Sequence, residues 1–263
     1  MNTKFKSTFK QTKSMLKVDF RRMFTMPLFY IMLGASFVIP ILILVMTSMM
    51  DGSVAVDPQT GAETVIEGFK NVWQIIGSTS GSSMEMSIIS MCNINMMFFL
   101  IAVLVCIFVA DDFRSGYSKN LFTVRPTKTD YAISKIVVGF VGGASMLLAF
   151  FVGAMLGGAI AGLSFSLEGT SAINVVMCII SKIFLVGIFV SIYVLASIVA
   201  KQKLWLSLLL AFGIGMLFFT MIPLITPLDC SIINVILCLV GSVLFSVGFT
   251  YLSKLILNKQ DIL

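Results

Sequence analysis

Six apolar runs separated by short polar intervals occupy most of the chain. Their lengths predict membrane-spanning helices at residues 28–49, 88–110, 136–162, 173–200, 204–222 and 232–252. The expected fold class is therefore all-α: a polytopic membrane protein whose six transmembrane helices form one bundle, with no separate soluble domain. Residues 1–26 follow a different pattern. Phe5, Phe9, Leu16, Phe20 and Met23 keep roughly to one helical face, among Lys4, Lys6, Lys10, Lys13, Lys17, Arg21 and Arg22. This spacing predicts an amphipathic helix in the membrane interface, its cations on anionic lipid; a basic disordered tail is the competing reading. Pro27 marks the break into the first span. The long basic portion and the absence of an A-x-A-like exit argue for a retained span over a cleaved signal peptide.

The polar interval from Ala110 to Lys135 has internal structure of its own. Phe113, Tyr117 and Leu121 recur every four residues and line one face of a short helix, with Arg114, Ser118 and Lys119 on the others. Gly116 supplies close approach or a kink. Pro126 stops that helix, and Thr127-Lys128-Thr129-Asp130 reads as a capping box with Asp in place of Glu. Asp111 and Asp112 are placed at a helix start, where anions favour the dipole. The interval is thus a structured elbow, although any membrane-protein loop of this kind tends to be basic and to contain a helix.

Within the apolar runs, the third is crowded with glycine. Gly139, Gly143, Gly153 and Gly157 fall at four-residue spacings that let helices approach closely in lipid; they form a dimer or gate seam, or the ordinary packing of one bundle. Lys182 is the only charge well inside an apolar run. It faces a cavity or snorkels, or it ends an amphipathic piece at the outer face, the reading preferred from the length of its run. Pro223 and Pro227 signal broken helix between the fifth and sixth runs.

Composition agrees with this pattern: 58% hydrophobic residues, 11% charged and a mean hydropathy of +1.04. The five cysteines lie mostly in apolar runs and imply no disulfide framework. The absence of histidine excludes a His-ligated zinc site and a Ser-His dyad. No G-x-x-x-x-G-K-[ST] loop is present, so the chain does not hydrolyse ATP by that route. It is expected not to be an enzyme and to bind no cofactor or metal itself. Charge sets the topology. With both termini inside, the cations of the N-terminus, of the elbow at 111–135, of the Lys201–Lys203 turn and of the tail all lie on the inner side. Only Lys70 and Lys182 of the eighteen lie elsewhere, in keeping with the positive-inside tendency. The acidic interval 50–87 is then extracellular.

The elbow carries a resemblance. An acidic residue followed by F-R, S-G, K-N-L, R-P-T-K and a final S-K entering a helix, from Asp112 to Lys135, resembles the cytoplasmic loop of ABC-2 type transporter permeases. The order of apolar runs extends the likeness weakly over nearly the whole chain. The resemblance implies that this loop is a coupling helix seated in a groove of a separate cytosolic ATPase, which binds ATP and Mg. The residues implied to couple are Asp112, Phe113, Arg114, Gly116, Tyr117, Lys119, Asn120 and Leu121. Phe113, Tyr117 and Leu121 would fill the groove, and Arg114 or Lys119 would pair with acids at its rim. A membrane-parallel N-terminal helix fits the family. Its re-entrant pieces between the fifth and sixth spans are curtailed here to about 223–231.

Two functions follow. The first is a permease subunit of an ATP-driven exporter in a bacterial cytoplasmic membrane, paired with a second copy or a related chain. Such a subunit moves an amphipathic or hydrophobic substrate such as an antimicrobial peptide or drug; no nucleic acid is involved. The second is a non-transporting scaffold or sensor that docks a cytosolic partner through the same helix.

Overall fold

The computed structural model describes residues 2–56, 63–65, 67–78, 92–124, 128–167, 169–219 and 221–259. Helices dominate: α1 (Asn2–Thr25), α2 (Pro27–Met50), α3 (Met97–Arg114), α4 (Tyr117–Val124), α5 (Lys128–Ala161), α6 (Ala172–Ala200), α7 (Leu204–Phe219), α8 (Ile222–Ile225) and α9 (Ile232–Lys259). The only strands among the described residues are β1 (Val54–Val56) and β2 (Glu63–Val65), paired antiparallel with Val54 opposite Val65. Among the described residues, five helices are long and apolar enough to cross a membrane: α2, the unit Ile94–Arg114 that ends in α3, α5, α6 and α9. The molecule is therefore a helical, multi-pass membrane protein.

The fifth apolar run departs from its prediction. Instead of one helix over 204–222, α7 stops at Phe219 after 16 residues, a length of about 24 Å. Pro223 lies in the first turn of the separate four-residue α8. It has no N–H to extend a preceding helix and is tolerated at a helix start. The first, third, fourth and sixth spans run longer than predicted, and the second continues four residues past its predicted end, to Arg114. The predicted beginning of the second span at Ile88, and Pro126 and Thr127 of the predicted capping box, lie outside the described residues. For Phe5 and Phe9 only the helical backbone is described.

α3 and α6 are the most enclosed of the long helices and α9 the least. α9 packs chiefly on α6, and α2 on α5. The four predicted seam glycines all meet helices of this chain. A Cβ on Gly153 would lie 2.1 Å from the Phe37 carbonyl oxygen, and one on Gly157 would lie 2.8 Å from Ile41 Cα. Pro40 of α2 rests on the same patch; because it lacks an N–H, it leaves the Ser36 carbonyl without its helical donor at the point of contact. Gly139 and Gly143 receive Val190 and Val186 of α6. Close approach of this kind replaces the hydrophobic driving force that lipid does not provide.

Away from the elbow, residues 67–78 fold onto the bundle instead of forming an open loop. Asn71 caps a 3-10 turn, Val72–Ile75, through a reciprocal capping box with Gln74. Trp73 Nε1 donates to the Phe165 carbonyl at 3.1 Å and the Val72 N–H to that of Ser164 at 3.1 Å. Phe69, Val72, Ile75 and Ile76 are buried beneath.

Candidate functional site at the polar elbow

The elbow begins later than the hydrophobicity suggests. α3 runs through Asp111 and Asp112 to Arg114, so the two acids occupy the last turn of a helix and not the first turn of the next. A carboxylate at a helix C-terminus is opposed by the macrodipole, and Asp112 is also fully buried. Other groups must hold its charge.

They come from α1 and α5. Lys135 Nζ lies 2.7 Å from Asp112 Oδ2, an ion pair off the line of an ideal hydrogen bond, and Arg22 Nη1 donates to Asp112 Oδ1. Lys135 Nζ also donates to Asp19 Oδ1 at 2.9 Å, and Ser134 Oγ to Asp19 Oδ2 at 2.6 Å. Two anions and two cations thus share one buried cluster of zero net charge. Its walls are aromatic: the Lys135 ammonium sits 4.1 Å from the Phe108 ring centre, and the Arg22 guanidinium 4.4 Å from that of Tyr117. Burial works to lower the Arg22 pKa, but the carboxylates of Asp112 and Asp19 outweigh it and hold the guanidinium above its ordinary value. A buried pair is weak evidence for net stability, yet removing one member leaves an uncompensated charge, at about 3–5 kcal/mol.

Sequence reasoning missed half of this cluster. Asp19 was the available signal: a lone acid in a strongly basic helix, three residues before Arg22. Arg22 itself was expected to meet lipid headgroups and instead turns inward. Lys13, Lys17 and Arg21 remain exposed at four-residue spacing along α1, where they are free to meet anionic headgroups.

Gly116, at φ +72°, breaks the chain between α3 and α4. A kink there was one of its two predicted roles, and the left-handed conformation suits glycine. Because of the break, Phe113 belongs to α3 and only Tyr117 and Leu121 to α4. Their expected outward-facing ridge is turned the other way: Phe113 is buried, Tyr117 lies under Arg22, and Leu121 and Phe122 pack against the core. Ser118, expected on the polar side, is buried too. Arg114, Ser115, Lys119, Asn120 and Thr123 are exposed. Arg114 Nε donates to the Gln202 carbonyl at 3.1 Å, and Gln202 Nε2 to the Phe113 carbonyl at 3.3 Å, tying the elbow to the turn between α6 and α7. Asp130, in the first turn of α5, accepts from Thr12 Oγ1 of α1 at 2.9 Å. Of the eight residues expected to couple, Arg114, Lys119 and Asn120 therefore present side chains outward, and Asp112 and Phe113 do not.

Lys182 neither snorkels nor ends an outer amphipathic piece, the reading preferred from the length of its run. It is fully buried, donating from Nζ to Asn95 Oδ1 at 2.8 Å and to Thr226 Oγ1 at 3.0 Å. It pins the residues before α3 and after α8 to the middle of the bundle, far along α6 from the elbow. No group of metal-binding side chains occurs among the described residues. Comparison of the chain with protein-family models, with curated proteins and with solved structures found no match.

Proposed function

We propose that this chain is the membrane-spanning permease subunit of an ATP-driven exporter of the ABC-2 kind, moving an amphipathic or hydrophobic substrate with energy from a separate ATPase. The observation that carries this reading is α4. A connection between two spans does not require a separate eight-residue helix with an exposed polar side and a buried cluster of charges behind it. A partner that pushes on the bundle does. The outward set Arg114, Lys119 and Asn120 provides cationic and amide donors for acids of a cytosolic ATPase, which holds ATP and Mg; this chain supplies no catalytic group. The sorting of lysine and arginine supports an orientation with both termini and the elbow in the cytoplasm, and the setting proposed is a bacterial cell membrane. α7, about 24 Å long, serves as a sixth crossing in this reading, with α8 continuing it toward the membrane surface. A second permease chain, the same or related, completes the pathway.

The test is co-purification from cells that express the chain with the ATPase encoded by an adjacent reading frame. Lys119→Glu combined with Asn120→Ala lowers recovery of the ATPase and abolishes substrate-stimulated hydrolysis. Ser53→Ala, an exposed change at the opposite end, alters neither. Full recovery and full stimulation with the double variant would remove the elbow from the coupling path.

A further inference from the structure

A groove of about 670 Å³ runs along the surface between α5, α6 and α9. Ile133, Val137 and Phe140 of α5 form one wall, and Leu239, Val243 and Val247 of α9 the other. The floor is sealed. Ser246 shares a 3.0 Å hydrogen bond with Ser191 of α6, and Ser242 Oγ sits where a Cβ on Gly187 would be. The hydroxyls of Ser242 and Ser246 are thereby directed into the protein, leaving the open side of the groove to hydrocarbon.

Its dimensions select the occupant. From Leu239 to Lys254 the groove follows α9 over 16 residues, about 22 Å at 1.5 Å per step. That exceeds the roughly 15 Å half-thickness of a bilayer's hydrocarbon core. A phospholipid acyl chain, which reaches from the headgroup to the midplane, fits lengthwise in a groove of that extent.

Charge fixes the orientation. Lys254, Tyr251 and Thr129 gather at one mouth, and no carboxylate lines the groove among the described residues. Lys128 adds a second cation at that end, its Nζ donating to the Leu257 carbonyl at 2.6 Å. Asp130, in the same turn of α5, is engaged on the other side by Thr12 of α1. Among the described residues, the opposite mouth, near Leu239, has no charged side chain.

We propose that this groove is a binding site for one anionic phospholipid, an acyl chain lying between α5 and α9 and the phosphate resting on Lys254 with Lys128 behind it. The site is of the leaflet that faces the elbow, and it stands independently of the transport reading.

The test uses the full-length chain purified in mild detergent. It is incubated with equal amounts of phosphatidylglycerol and phosphatidylcholine of identical acyl chains and weighed intact by native mass spectrometry. One phosphatidylglycerol is retained per chain, about tenfold more often than phosphatidylcholine. Lys254→Gln erases that preference. Val243→Trp, or Ile133→Trp from the opposite wall, fills the groove and removes both lipids, while circular dichroism and gel filtration report an unchanged fold. Inorganic phosphate at the same concentration does not compete, because the acyl chain supplies most of the affinity. Equal retention of the two lipids by the native chain would overturn the proposal, as would retention unaffected by either tryptophan. Full competition by inorganic phosphate would reduce the site to an anion contact. An intermolecular disulfide formed by Val247→Cys in place of bound lipid would assign the groove to a second copy.

Discussion

Lys135 of α5 and Asp19 of α1 lie 2.9 Å apart with both side chains fully buried, so the amphipathic helix is joined to the bundle by charge and does not rest on lipid alone. Lys135→Met leaves two carboxylates with one cation, Arg22, between them. A loss of about 3–5 kcal/mol is expected, measured as thermal stability in detergent. Asp19→Asn loses less on its own, and the two changes together fall short of additive because the second removes an already uncompensated group. Strict additivity would mean that the two residues do not interact.

At the far end, Lys182→Ala takes the donor from Asn95 and Thr226 and opens a void between α6 and α8. Cys178 and Cys230 are buried in the native chain; in the variant they should react with a small maleimide about tenfold faster, the mark of local opening by roughly 1.4 kcal/mol. Lys182→Met, which refills the volume, should come closer to the native rate. Unchanged labelling in the alanine variant would show that this contact holds nothing closed.

For the glycines the contrast lies between packed and open positions. Gly153→Ala puts a methyl group into the Phe37 carbonyl and should cost about 1–3 kcal/mol as α2 is displaced. Gly213→Ala, with nothing within 4 Å, should be neutral or slightly stabilising through helix propensity. Melting temperatures of the two variants decide the matter.

Orientation is tested by cysteine labelling on intact cells. Ser53→Cys should react with an impermeant maleimide and Lys119→Cys should not; both positions are exposed. The native thiols contribute little, since four of the five are buried. Position 118 is unsuitable for this purpose, because Ser118 is buried against the bundle.

How much of this was legible depends on the range of the signal. Spanning helices announce themselves by local composition, and Gly116 and Pro223 are local as well, since each limits the backbone whatever surrounds it. The buried cluster is different. Asp19 and Lys135 are 116 residues apart, and no periodicity connects them; an aspartate among lysines reads as solvated until the fold buries it. The direction of α4 was misread for a related reason. A four-residue apolar spacing says that a face exists, not whether it meets this chain or another. The ends of helices are ambiguous too: Asp111 and Asp112 follow an apolar run and imitate a helix start, when the preceding helix had four more residues to go.

Gln202 and the Phe113–Arg114 backbone and side chain exchange hydrogen bonds in both directions, at 3.3 and 3.1 Å, which closes a ring between the elbow and the turn at the end of α6. Lys182 sits on that same helix, 18 residues before Ala200, or about 27 Å away. A hydrogen-bonded helix resists compression along its axis, so the two places are ends of one strut, and an axial shove at the elbow arrives at the other end little diminished. The grip there is brittle, because contacts of 2.8 and 3.0 Å are lost once they lengthen by about 0.6 Å. A displacement of α6 along its own axis by that much would therefore break both contacts.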